Sequence, residues 1–102
     1  MCRVFFQVDV RRPAALLEAL RQQQPRRAAL GELAFALHID DNARHIGYVA
    51  LDWESVASAH RFLESAESKA LVSEWPIEEV LSVVPLREVA RQVHRLGGSG
   101  DA

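Results

Sequence analysis

The chain lacks most of the residues and patterns that commit a small protein to a special chemistry. It has one cysteine, Cys2, in 102 residues, so neither an internal disulfide nor an all-cysteine zinc site can form. No apolar run approaches the roughly 20 residues needed to span a bilayer, and no apolar leader follows Met1-Cys2-Arg3. The expected setting is therefore the cytoplasm, without membrane contact. A nucleotide-binding fingerprint is also missing. Gly97-Gly98-Ser99-Gly100 lacks the following Lys-Ser/Thr and the strand-to-helix setting of a phosphate loop. A self-contained flavin or nicotinamide domain is not expected, and no cofactor is.

Lysine is scarce: eleven of the twelve basic residues are arginine. Net charge is −2, which argues against general nucleic-acid affinity. Its distribution is uneven. Residues 1–30 carry six arginines against Asp9 and Glu18, hence +4, and residues 31–102 carry −6. The basic part has no interleaved aromatics on which bases could stack, so it reads as a solvated helix flanked by arginine-rich turns. Hydrophobic residues make up 49% and charged residues 25%, the balance of one globular domain.

Periodicity supplies the elements. Val4 to Val10 alternates as a strand, with Val4, Phe6, Val8 and Val10 on one face and Phe5, Gln7 and Asp9 on the other. Pro13 suits a first helical turn. A helix is expected from Ala14 to about Gln23, with Leu16, Leu17 and Leu20 inward, and Pro25 is expected to disrupt or end it. Gly31 closes a short turn through Ala28, Ala29 and Leu30. A second strand, Leu33 to Ile39, points Leu33, Phe35, Leu37 and Ile39 one way, and Ala34, Ala36 and His38 the other. The polar turn Asp40-Asp41-Asn42 leads to a third strand, Ile46 to Leu51, as a hairpin. A second helix starts near Asp52–Ser55 and runs to Ala70, with a break near Ser68. Val56, Ala59, Leu63, Ala66 and Ala70 form its stripe, with Phe62 on the shoulder. Leu71 to Trp75 is a further turn. Glu79 to Leu86 is a fourth strand, and Pro85 near its end argues for an edge or terminal position. Residues 87–96 read as an arm or short helix, and 97–102 as a flexible tail beyond a single domain at 1–96.

The order β-α-β-β-α-β is the ferredoxin-like arrangement of the α+β class: a four-stranded antiparallel sheet with its helices on one face. The far face then carries Phe5, Gln7, Asp9, Ala34, Ala36, His38, Tyr48, Ala50, Ser82 and Val84. That mix is too apolar for a solvated face and too polar for a core. It predicts a homodimer with two sheets face to face. The small alanines would leave space between the sheets for a small molecule.

On these elements the chain resembles the dimeric α+β-barrel superfamily. That superfamily includes antibiotic-biosynthesis monooxygenase-like and muconolactone isomerase-like small proteins. The resemblance covers about residues 3–87. It rests on the element order, on Tyr48-Val49-Ala50-Leu51-Asp52-Trp53 leading into Glu54-Ser55-Val56-Ala57-Ser58-Ala59-His60-Arg61-Phe62-Leu63, and on Glu67-Ser68-Lys69-Ala70-Leu71. It implies dimerisation through the open sheet faces. For activity it implies a cofactor-independent oxygenase, an isomerase, a haem binder or none, because fold does not select a reaction.

Asp9 and His38 are the best chemical pair: both fall on the far face, at the carboxyl ends of parallel strands, with His45 near the same edge. A histidine that titrates near neutrality can move protons, and a carboxylate can orient it. The enzyme reading makes His38 the base, has Asp9 orient it directly or through another group, and has Tyr48 or Gln7 hydrogen-bond the developing oxyanion. Phe5, Gln7, His45 and Ser82 would line the substrate, a small enolisable or aromatic molecule. The alternative is a non-catalytic ligand-binding or structural dimer, in which these groups are only a polar rim. A metal site of Asp9, His38 and His45 has suitable donors but no tight ligand spacing, and none is expected. His60 reads as a boundary residue, His94 carries little weight, Cys2 reads as an incidental thiol, and Trp53 and Trp75 as packing or dimer contacts.

Overall fold

The structure, a computed structural model, describes residues 1–93. Its elements run β1 (Cys2–Asp9), α1 (Pro13–Ala29), β2 (Glu32–Ile39), β3 (Ile46–Trp53), α2 (Val56–Glu64), α3 (Ala66–Ser73) and β4 (Glu79–Arg87). The ferredoxin-like order expected from periodicity is present, with the second helical segment divided in two. The strands form one antiparallel sheet in the order β2-β3-β1-β4. β4 is an edge strand, which is how it tolerates Pro85. The expected tail at 97–102, His94 and the end of the domain at 96 lie outside the described residues. Residues 88–93 form no regular element, and the Glu88 amide donates to the Met1 carbonyl at 2.9 Å.

Strict alternation in β1 builds the core. Cys2, Val4, Phe6 and Val8 are buried, and each intervening residue is half-exposed. Across the ladder Val4 meets Leu51 and Phe6 meets Val49, so one face of the two central strands is continuously apolar. Leu16 and Leu20 of α1 and Phe62 of α2 cover it. Each such fully buried side chain contributes roughly 1.5–3 kcal/mol. Cys2 lies in the first strand rather than at a loose terminus. It is 1% exposed in the first strand and packs as a small hydrophobe. Trp53 and Trp75 are both core residues: Trp53 lies 4.6 Å from Phe62, and Trp75 meets Phe6 edge-on at 5.2 Å, centroid to centroid.

Four local expectations are corrected. First, α1 does not end at Pro25 but continues to Ala29, with Pro25 inside it. Pro25 sits on an exposed face, and the residues around it are anchored. Buried Gln23 and Arg27 extend the Leu16–Leu20 stripe to positions 23 and 27, while Leu17 is only half-buried. Gly31, at φ +112°, then turns the chain as expected, in a conformation other residues resist. Second, Leu33 does not face the core. A bulge between Glu32 and Ala34 leaves it 57% exposed and turns Glu32 inward instead. Third, the break in the second helical segment falls at Ser65, not Ser68. Ser65 ends α2 and its hydroxyl caps α3 by accepting from the Ser68 amide at 3.1 Å. Ser55 does the same for α2 through a reciprocal capping box with Ser58. Fourth, the break resets the helical phase after Ser65, while within α2 the stripe is rotated toward Phe62, with Ala59 buried as expected. Phe62, Ser58, Ser68 and Leu71 point inward, while Val56, Ala66 and Ala70 are exposed.

Candidate functional site

The face opposite the helices holds the residues that alternation selected. Register places them in rows across the sheet. His38 pairs with Tyr48, Tyr48 with Gln7, and Gln7 with Ser82. One polar row thus crosses all four strands. Beside it runs an apolar row, Ala36, Ala50, Phe5 and Val84, paired the same way.

The polar row is partly wired. The Ser82 hydroxyl donates to Gln7 Oε1 at 3.2 Å, and Gln7 Nε2 donates to the Tyr48 hydroxyl oxygen at 3.4 Å. With that oxygen accepting from Gln7, the phenol's own proton is left to donate elsewhere. His38 ends the row on edge strand β2. It is exposed, and its imidazole makes no hydrogen bond among the described residues.

Asp9 shares this face and this end of the sheet but does not meet His38 within one chain. β3 lies between their strands, and Asp9 is one row further on, opposite Ile46 and Glu79. Strand geometry then separates their backbones by roughly 12 Å. The near neighbour of Asp9 is Arg11, whose Nε lies 3.1 Å from Oδ1. His45 precedes β3 at the same end; its side chain is exposed, and its carbonyl accepts from the Val10 amide at 2.7 Å. No group of three potential metal ligands comes together among the described residues.

Sequence reasoning missed two features. The first is the Arg3–Asp52 pair on this same face, with Nε to Oδ1 at 2.6 Å and a second contact at 3.0 Å. The hydrogen bond to Asp52 raises the Arg3 pKa above its ordinary value. Residues 49 apart in sequence carry no local signal of this kind. The second feature is a groove of about 530 Å³ on the opposite, helix-bearing face. It lies along β4, the edge strand, with α3 and β4 both contributing to its lining. Phe6, Val80 and Val83 of the sheet form one wall, and Leu63 and Val72 the other. Val83 is 41% exposed. The volume is that of a small-molecule site, roughly 300–1,000 Å³. The sequence did hint at it: Leu81, Val83, Val84 and Leu86 make β4 apolar on both faces, although one of those faces has no helix lying on it.

No protein-family model matches the chain, and no curated protein sequence matches it. Solved structures do. A protein from Bordetella bronchiseptica, named as a candidate antibiotic biosynthesis monooxygenase, superposes with a TM-score of 0.70 at 22% identity, covering 87% of this chain and 97% of that one. A similarly named protein from Nitrosomonas europaea gives 0.60 at 16%, covering 88% and 100%. Another from Chloroflexus aurantiacus gives 0.63 at 12%, covering 90% and 96%. Several further neighbours carry the same candidate antibiotic biosynthesis monooxygenase name, and others carry none. What this chain shares with them is the fold.

Proposed function

We propose that two copies of this chain pack their open sheet faces together and that the enclosed polar row handles protons on a small enolisable or aromatic substrate, without a resident cofactor. The observation that carries this reading is the row His38–Tyr48–Gln7–Ser82, in register across four strands beside an apolar row. His38 is the base. It takes a proton from an acidic carbon, and the electron pair moves onto the conjugated oxygen. Tyr48, held by Gln7 and through it by Ser82, donates its free proton to that oxyanion. The imidazolium returns the proton to a second carbon in an isomerisation; in an oxygenation, dioxygen is the co-substrate that the carbanion reduces. Asp9 and His45 set the charge at the same sheet end, and Phe5 supplies an apolar floor.

The test is solvent deuterium exchange at the acidic carbons of a panel of 1,3-dicarbonyls and hydroxyarenes, followed by NMR, with oxygen uptake measured in parallel. Wild type accelerates exchange for at least one member, and His38→Ala slows it about a hundredfold or more. Exchange that survives His38→Ala unchanged removes the assignment. Sedimentation checks the dimer: exposed Val84→Glu, in the apolar row, shifts the mass toward one copy.

A second reading is favoured by the groove beneath β4, which holds an apolar cavity and no histidine or carboxylate in its lining. In that reading the chain binds a small ligand there and does no chemistry. Ligand binding would then persist in His38→Ala.

A further inference from the structure

The chemistry of the groove is asymmetric. Its sheet wall is apolar, and its polar lining comes from α3 alone, as Ser68, Lys69 and Ser73. Two of these three spend their side chains on the helix. The Ser68 hydroxyl donates to the Ser65 carbonyl at 3.0 Å, and the Ser73 hydroxyl to the Ala70 carbonyl at 2.6 Å. A polar group on a ligand therefore meets one uncommitted partner, the Lys69 ammonium.

Among the described residues, nothing neutralises that ammonium. Lys69 is the only lysine in the chain. The positions three and four away on its helix are Ser65, Ala66, Val72 and Ser73, so no helical ion pair forms. The carboxylates before and after it, Glu67 and Glu74, are both taken by Arg26, at 3.3 and 3.0 Å. Lys69 makes no ion pair among the described residues. An apolar cleft with one free cation at its rim complements a molecule of the same design.

We infer that the groove binds an amphiphilic acid: a hydrocarbon or aromatic body lies between α3 and β4, and its carboxylate pairs with Lys69. This rests on the groove being a ligand site, as in the second reading above, and adds the class of the ligand. An exposed pair of this kind changes affinity by a factor of about five or less, so charge selects the ligand while apolar burial holds it.

The experiment compares decanoate, 1-decanol and decyltrimethylammonium at neutral pH and low salt. Trp75 emission reads occupancy, because its ring packs on Phe6, and amide shifts at Leu63, Val72 and Val83 locate it. Decanoate binds about fivefold tighter than decanol, and the cation binds weakest. Lys69→Met brings decanoate to the affinity of the alcohol and leaves the alcohol unchanged; Lys69→Arg keeps the preference. Val83→Trp, on an exposed edge strand, fills the groove and abolishes binding of both. Equal affinities in wild type, or a preference that survives Lys69→Met, overturn the acid inference while leaving the groove a binding place. If none of the three probes binds wild type, the inference falls together with the reading it rests on.

Discussion

The two ends of the helix layer invert the usual rule about what a protein hides. Under the C-terminal turns of α1 the buried groups are polar. Arg27 and Glu32 form an ion pair at 2.6 Å with both side chains fully buried. Arg27 also donates to the Leu20 carbonyl at 2.9 Å and lies 5.1 Å over the Phe35 ring. Gln23 donates to the Leu71 carbonyl at 2.9 Å and accepts from the Trp75 indole at 2.8 Å. Beside β4, at the other end, the exposed groups are apolar. The polar cluster joins α1 to β2, α3 and the residue after it, so its burial braces three parts of the chain. Among the described residues the apolar strand has no such cover, and exposed apolar surface of this kind is what the proposed interface and groove readings rest on. Desolvation is tolerated where the partners are internal, even though Glu32 Oε1 has no hydrogen-bond partner among the described residues; the exposed apolar strand is the surface on which the proposed ligand would lie.

The largest effects come from breaking the buried pair, and they should be unequal. Glu32→Leu strands an arginine that cannot lose its charge and should cost roughly 3–5 kcal/mol by urea unfolding. Arg27→Met strands a carboxyl that can take up a proton, so it should cost less, and less at pH 5 than at pH 8. The double variant, with both charges gone, should recover most of the loss. Equal single-variant losses at all pH values would show that the pair is not what braces this end.

Next in size is Gln23→Ala, which leaves the Trp75 indole without its acceptor and should cost about 1–3 kcal/mol. Ser65→Ala removes the cap of α3 and should cost about 1 kcal/mol. On the exposed side, Val83→Thr should change stability by no more than about 0.5 kcal/mol while weakening groove binding. A large stability loss there would erase the contrast between the two ends.

The two carboxylates facing this polar cluster should respond to pH with opposite sign. Burial raises the Glu32 carboxyl above its usual value, against the pull of Arg27. The folded chain holds that proton more tightly than the unfolded one, so its contribution is present at low pH and is lost as pH rises through the folded value. Hydrogen bonds from Gln23 and then Arg26 lower Glu74. Its contribution is present above the usual carboxyl range and is lost as pH falls through the lowered value. Urea midpoints against pH should lose the first slope in Glu32→Gln and the second in Glu74→Gln.

The open face was the most legible part of the site, because a period of two needs no knowledge of the fold. Phe5, Gln7, Asp9, His38, Tyr48 and Ser82 all sit where alternation put them. Their pairings were less legible. Asp9 and His38 share an edge, yet β3 lies between their strands. The helix layer was least legible. Reading inward positions as apolar hides Gln23, Arg27 and Glu32, which occupy core positions as polar residues. It also assigns Leu33 to the core, where a bulge shifts the phase by one. In α2 the inward stripe turned toward Phe62 and left Val56, in the first turn, exposed; Ala66 and Ala70 lost their inward places because a serine cap at Ser65 restarted the helix.

By itself the sequence determined the element order, the inward face of β1, the edge-or-terminal placing of β4 and which residues lie on the open face. Each follows from short-range periodicity or from a single proline, and those act through the backbone of neighbouring residues. The tertiary structure alone decided the burial of Arg27 with Glu32, the Arg3–Asp52 pair and the groove that Lys69 lines. Those features depend on which strands adjoin and how far a helix reaches across them. Residues far apart in the chain set that arrangement together, and no local pattern encodes it.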